Sequence, residues 1–213
     1  MKHYLREPVN SITHLFGAFL SIIGTIILLS HTSLPLSPVV TTSILVFGIS
    51  LVLLYTTSGI YHLVHTTDAI LLRLRKLDHS MIFILIAGSY TPFCLLALDG
   101  FWKWSIIITV WSLALIGIIL KMVWINMPRW LSTGFYIGMG WIALFALKPL
   151  YASLSFGGFF FLMLGGLMYT IGGIIYGTKK PNLLPDFGFH EIFHIFVMLG
   201  SFCHYWAVFK YVL

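Results

Sequence analysis

Apolar residues fill seven long stretches of the chain, roughly 11–30, 39–64, 80–98, 102–121, 130–147, 157–177 and 187–212. Each is close to the ~20 residues that a helix needs to cross the ~30 Å hydrocarbon core of a bilayer. Short segments carrying Pro, Gly and charge separate them. The pattern predicts an all-α membrane protein, a seven-transmembrane helix bundle in which 1–213 form one domain and no separate soluble domain fits.

Composition supports this. Hydrophobic residues make up 59% and charged residues 8% of the chain, against about 25% charged in a typical soluble domain. The first stretch is longer than a signal-peptide core and no small-residue cleavage site follows it, so it is expected to be retained. Cys94 and Cys203 fall inside the third and seventh stretches, which excludes a disulfide framework built on polar loops.

The formal net charge is +6, and its distribution fits a bilayer rather than a nucleic acid. Lys2, Arg6, Arg73, Arg75, Lys76, Lys121, Arg129, Lys179 and Lys180 flank the spans on one side, leaving Lys103, Lys148 and Lys210 for the other. By the positive-inside rule the N-terminus is cytoplasmic and the C-terminus outside. The expected location is the cell membrane, multi-pass, with the lipid bilayer as partner.

Candidate chemistry sits in the apolar stretches. His190 and His194 stand at i and i+4 at the start of the seventh span, on one helix face and one turn apart. Ser58 and His62 have the same spacing at the end of the second, and His65 lies one further turn toward solvent as an interfacial residue. Glu7, Asn10 and His14 are spaced i, i+3, i+7 and share a face, with Pro8 suited to a first helical turn. Asp78 begins the third span, where it would serve either as N-cap or as a chemical group. Because the spans alternate in direction, His14, His62, Asp78, His190 and His194 all fall in one layer near the cytoplasmic face. Ionisable groups inside a membrane are costly and usually functional, and several imidazoles with a carboxylate at one depth suit a zinc ion. Cys94 and Cys203 lie roughly 24 Å and 13 Å along their helices from that layer, so the ligands are nitrogen and oxygen.

His190-Glu191-x-x-His194 also reads as the zinc-protease helix H-E-x-x-H, with Glu191 as general base. Downstream, its third ligand would have to be His204, about 15 Å up the helix. The third ligand therefore comes from upstream, as His62 would, and Glu191 is read as an outer partner or interfacial residue. His14 is a candidate outer partner too, since ligand imidazoles usually have one. Elsewhere, Pro92 is expected to kink the third helix, with Ser89 or Thr91 serving freed carbonyls. Gly134, Gly138, Gly173 and Gly177 have the small-xxx-small spacing of closely packed helices. The fourth and fifth spans show no chemistry, and Pro181 and Pro185 force a sharp return into the seventh span.

Taken together, Glu7-x-x-Asn10-x-x-x-His14, Ser58-x-x-x-His62, Leu77-Asp78, Ala87-Gly88-x-Tyr90-Thr91-Pro92 and His190-x-x-x-His194 resemble the haemolysin III branch of the progestin and adipoQ receptor superfamily. The resemblance covers essentially the whole chain. It implies a zinc ion held by His62, His190 and His194, with Asp78 acting on the metal's water and Ser58 close by. The related adiponectin receptors and alkaline ceramidases imply hydrolysis of a membrane lipid amide such as ceramide, with the substrate chain entering between helices. The haemolysin name implies instead a pore-forming or lytic protein whose metal is structural. Without the long cytoplasmic N-terminal region of the animal receptors, hormone sensing is not expected.

Overall fold

The computed structural model describes residues 5–32, 37–184 and 187–213. Lys2, Pro185 and Asp186 lie outside the described residues. Among the described residues, seven helical segments are long and apolar enough to cross a membrane. They are α1 (Pro8–His31), α2 (Pro38–Leu63), α3 (Asp68–Pro92), α4 (Gly100–Val123), a composite fifth segment, α7 (Phe156–Thr178) and α8 (Phe189–Ala207). The fifth consists of α5 (Arg129–Gly140), a 3-10 stretch over Trp141–Ala146, and α6 (Leu147–Ser153).

Local chemistry sets the ends. Proline opens α1 and α2, where its missing N–H has no partner to lose. Ser155 caps α7 by accepting the Gly158 N–H at 3.3 Å. Lys179, with φ of 59°, closes α7 in the left-handed conformation. Successive helices α1 to α4 pack in order, α7 packs on α8, α5 packs chiefly on α7, and α1 touches α8 to close the bundle. Ile44, Phe47, Ala87, Val110 and Ala207 are buried inside, while Ile26, Ile108, Leu115, Phe145 and Phe156 face outward. That outward apolar surface matches a hydrocarbon solvent, and the helices satisfy their own backbone groups as a bilayer requires.

The structure corrects four expectations. First, α3 begins at Asp68, well before Ser80. Arg73, Arg75 and Lys76 are helical rather than in a loop, and Asp78 is a mid-helix residue rather than an N-cap. The segment from Asp68 to Ser80 holds no Gly or Pro and is rich in Leu, Arg and Lys, strong helix formers that carry the helix past the apolar stretch.

Second, the fifth span is not one α-helix. The backbone leaves α geometry at Gly140, and the Tyr90 hydroxyl serves both sides of the break: it donates to the Gly140 carbonyl at 2.6 Å and accepts the Ala143 N–H at 2.8 Å.

Third, no atom lies within 4 Å of where a β-carbon would stand on Gly134 or Gly138, so these glycines bring no helix close. The approach of the fifth and sixth spans is made on the other side: a β-carbon on Gly173 would meet Ile137 at 3.1 Å, and one on Gly177 would meet Thr133 at 3.6 Å.

Fourth, Lys121 is not a loop charge. It ends α4 only 2% exposed, with its ammonium donating to the Ser132 hydroxyl.

At Pro92, α3 passes into a π turn over Phe93–Ala97. The Ser89 and Thr91 hydroxyls donate back to the carbonyls of Ile86 and Ala87 at 2.8 and 3.0 Å.

Candidate metal centre

The last turn of α2 and the first turns of α8 meet at one end of the bundle. His62, His190 and His194 form a near-equilateral triangle there, with ring centroids 5.0, 5.0 and 4.9 Å apart and ring planes at 72° to 87° to one another. One ring nitrogen from each lies within 4.8 Å of the other two. Tetrahedral zinc bound at about 2.0–2.1 Å asks for nitrogens roughly 3.4 Å apart, which small side-chain rotations would supply.

The unsatisfied atoms point the same way. His62 and His194 are each 1% exposed, yet His62 Nε2 and His194 Nδ1 have no hydrogen-bond partner. Buried polar atoms without partners are rare and costly. Three clustered imidazoles, two of them with a buried nitrogen that has no partner, could hold a divalent cation.

The chain before and within α1 supports the triangle. Glu7 Oε2 lies 2.6 Å from His62 Nδ1, which leaves Nε2 as the nitrogen free for a metal. The Glu7 backbone N–H also donates to the His62 carbonyl at 3.0 Å. Burial works to raise the Glu7 carboxyl, but the His62 hydrogen bond and the charges of His62 and Arg6 outweigh it and hold it at about 2. Asn10 donates to Glu7 Oε2 at 3.3 Å and to Glu191 Oε1 at 2.7 Å. The other Glu191 oxygen accepts the Gly188 N–H at 2.8 Å, capping α8. Both Glu191 oxygens are thus committed to structure. His14 stacks on His194, centroids 3.6 Å apart and planes 8° off parallel, and neither of its nitrogens has a partner.

Beside the triangle opens a cavity of about 1080 Å³, mouth included. Ser58, Asp78, His14, His190 and His194 line its polar end, and Leu54, Ile82, Ile86, Ile137 and Val197 its apolar walls. A smaller cavity of about 540 Å³ adjoins it, with Trp141 and His204 lining both. Asp78 is not among the three clustered ligands, but its carboxylate faces the same space. All the residues singled out from the sequence near this end, Glu7, Asn10, His14, Ser58, His62, Asp78, His190, Glu191 and His194, therefore converge. His65 is exposed. His204 is remote from the triangle, its Nε2 3.1 Å from the Leu162 carbonyl, and Cys94 and Cys203 are free and buried.

Two residues of this neighbourhood escaped the sequence reading. His79 Nδ1 lies 3.3 Å from Asp78 Oδ2, and His79 Nε2 lies 3.4 Å from the Tyr176 hydroxyl. The available signal was helix continuity: with α3 running back to Asp68, His79 is a mid-helix residue rather than part of a cap.

Comparison with known proteins now bears on this geometry. Residues 2–205 match the family described as Haemolysin-III related. The chain belongs to the haemolysin-III family. Within it, Hemolysin-3 of Bacillus cereus is 40% identical over 214 residues, covering 100% of this chain and 95% of that protein. The Hemolysin-3 homolog of Bacillus subtilis (strain 168) is 41% identical over 206 residues, 96% and 93% of the two chains. More distant is the human Monocyte to macrophage differentiation factor, 27% identical over 178 residues, 78% of this chain and 69% of that one. The haemolysin-III match and the seven apolar helices make this a multi-pass integral membrane protein of the cell membrane.

Proposed function

We propose that this haemolysin-III protein is a zinc-dependent hydrolase acting on an amide or ester of a membrane lipid. The observation that carries the reading is the three-imidazole cluster of His62, His190 and His194, two of whose members, His190 and His194, line a large, mostly apolar cavity together with Asp78. His62, His190 and His194 would hold the zinc, which when bound would supply Lewis acidity toward a carbonyl and toward water.

This chain's own residues do the rest. Glu7 holds His62 in the tautomer that aims Nε2 inward. Asp78 accepts the proton of the attacking water and can return it to the leaving group. The Ser58 hydroxyl donates to the developing oxyanion, and the apolar walls hold the acyl chain and exclude water. Arg73, Arg75, Lys76, Lys121 and Arg129 cluster at the site's end of the bundle, which supports a cytoplasmic location for it.

The test is metal analysis followed by a lipid assay. Detergent-purified protein should carry about one zinc per chain, His62→Ala and His194→Ala should lose it, and Asp78→Asn should keep it. Wild type with zinc should release fatty acid from mixed membrane lipids, and Asp78→Asn should not. Wild type that holds no metal sinks the mechanism.

A lytic reading draws on the name of the Bacillus cereus relative, Hemolysin-3. On that reading the metal is structural, and Asp78→Asn still releases dye from liposomes or lyses red cells.

A further inference from the structure

Tyr176 lies on α7 and lines the main cavity, its ring centroid 5.7 Å from that of His190. The ring is held firmly. The Arg129 guanidinium covers it at 4.6 Å and donates to the Tyr176 carbonyl at 3.3 Å, and Phe193 packs against it at 4.8 Å.

The direction of the phenol proton follows from its neighbour. His79 Nδ1 has two acceptors in reach, the Arg75 carbonyl at 2.9 Å and Asp78 Oδ2 at 3.3 Å. A ring nitrogen set between a carbonyl and a carboxylate carries the hydrogen, so in the neutral imidazole Nε2 is a lone pair. The Tyr176 hydroxyl, 3.4 Å from Nε2, donates into it. The phenol proton is thus committed to His79, itself a lining residue of the cavity, whose Nδ1 donates to the Arg75 carbonyl with Asp78 beside it. What Tyr176 presents to the cavity is an oxygen lone pair, an acceptor.

We propose that Tyr176, its proton committed to His79, determines specificity by accepting a hydrogen bond from a donor beside the scissile carbonyl, so that the site takes acyl amides in preference to matched acyl esters. The proposal rests on the hydrolase reading for the kind of molecule bound, though not on turnover. An amide linkage brings an N–H to the Tyr176 oxygen. An ester linkage brings only acceptors, which meet that oxygen lone pair to lone pair and leave the hydrogen bond unmade. His79 is the positioning residue: without it the phenol rotates and can donate to an ester as readily.

The experiment uses the full chain in detergent, stripped of metal so that no probe is consumed. A fluorescent N-acyl amide and the O-acyl ester of the same chain are titrated by polarisation. One hydrogen bond made or lost predicts that wild type binds the amide about tenfold more tightly. Tyr176→Phe should lose the preference, the amide losing its acceptor and the ester its opposed lone pair. His79→Leu should also lose the preference, by gaining ester affinity while Tyr176 remains, a change that mere loosening of the fold would not produce. The proposal is overturned if wild type shows no preference, if Tyr176→Phe keeps it, or if either variant weakens both probes equally. Fatty-acid release by the zinc-loaded wild type is scored separately. Its absence would end the hydrolase reading while leaving the binding preference as measured.

Discussion

Replacing Glu7 by Gln tests whether the segment ahead of α1 belongs to the metal centre. The Glu7–His62 contact is 2.6 Å, short enough for a charge-assisted bond. Gln keeps the size and an acceptor oxygen but removes the charge, so His62 is still aligned while its Nε2 becomes a poorer donor to metal. Loss of such an outer partner generally costs 10- to 100-fold in metal affinity. The Glu7 side chain is 39% exposed, and water screens its charge, which places the expected loss near the lower limit, about tenfold. The assay is zinc competition against a chromophoric chelator in detergent, wild type beside variant, at neutral pH. One zinc per chain should still bind, with about a tenfold higher Kd. Equal affinity in the two proteins would refute the inference that Glu7 tunes a ligand.

Three further expectations follow from the geometry. Imidazole ligands must be unprotonated, so metal retention should fall on acidification. The Glu7 carboxyl, held at about 2, contributes above its ordinary range near 4.5 and fails only as pH falls toward 2. Loss on acidification while Glu7 is still ionised therefore reports the histidines, and a metal content that does not fall with pH at all would contradict imidazole ligation. Glu191→Gln should lower stability by about 1 kcal/mol through the weakened α8 cap, with metal content and any hydrolysis kept. A rate loss of tenfold or more at full metal would restore Glu191 as general base. A β-carbon on Gly88 would collide with the Ser50 side chain, whereas one on Gly134 meets nothing within 4 Å. Gly88→Ala should therefore destabilise by about 1–3 kcal/mol and Gly134→Ala should stabilise by up to about 1 kcal/mol, and thermal unfolding in detergent in the reverse order would show the packing to be misread.

Hydrophobic run length made the seven spans readable, and alternating helix direction brought His14, His62, Asp78, His190 and His194 to one layer before any coordinates. Both inferences depend on properties that act residue by residue along the chain. What stayed hidden depends on the neighbours a side chain meets. The length of an apolar run marks where lipid ends, but α3 continues beyond it because Leu, Arg and Lys keep forming helix in a polar setting. That extension turned Asp78 from a cap into a cavity residue and put His79 within reach of Tyr176. The two glycine pairs in spans five and six look alike in sequence, yet only Gly173 and Gly177 face a neighbouring helix. The break at Gly140 is stitched by Tyr90 from a different helix, so no local propensity announces it. Lys121 reads as an ordinary flanking charge until Ser132 is seen beside it.

The three clustered imidazoles come from distant parts of the polypeptide, His62 near the close of the second helix and His190 and His194 at the opening of the last. A cation bridging them would cross-link positions about 130 residues apart, closing a long loop whose entropy weighs against the unfolded chain. The centre also cannot be completed while the ribosome is still making the sixth span, because most of the donors have yet to emerge. Metal occupancy would thus mark a fully inserted chain, and truncated or stalled products would be left with His62 and its partner Glu7 but neither of the other two imidazoles. A cell could tell finished copies from unfinished ones by that difference alone.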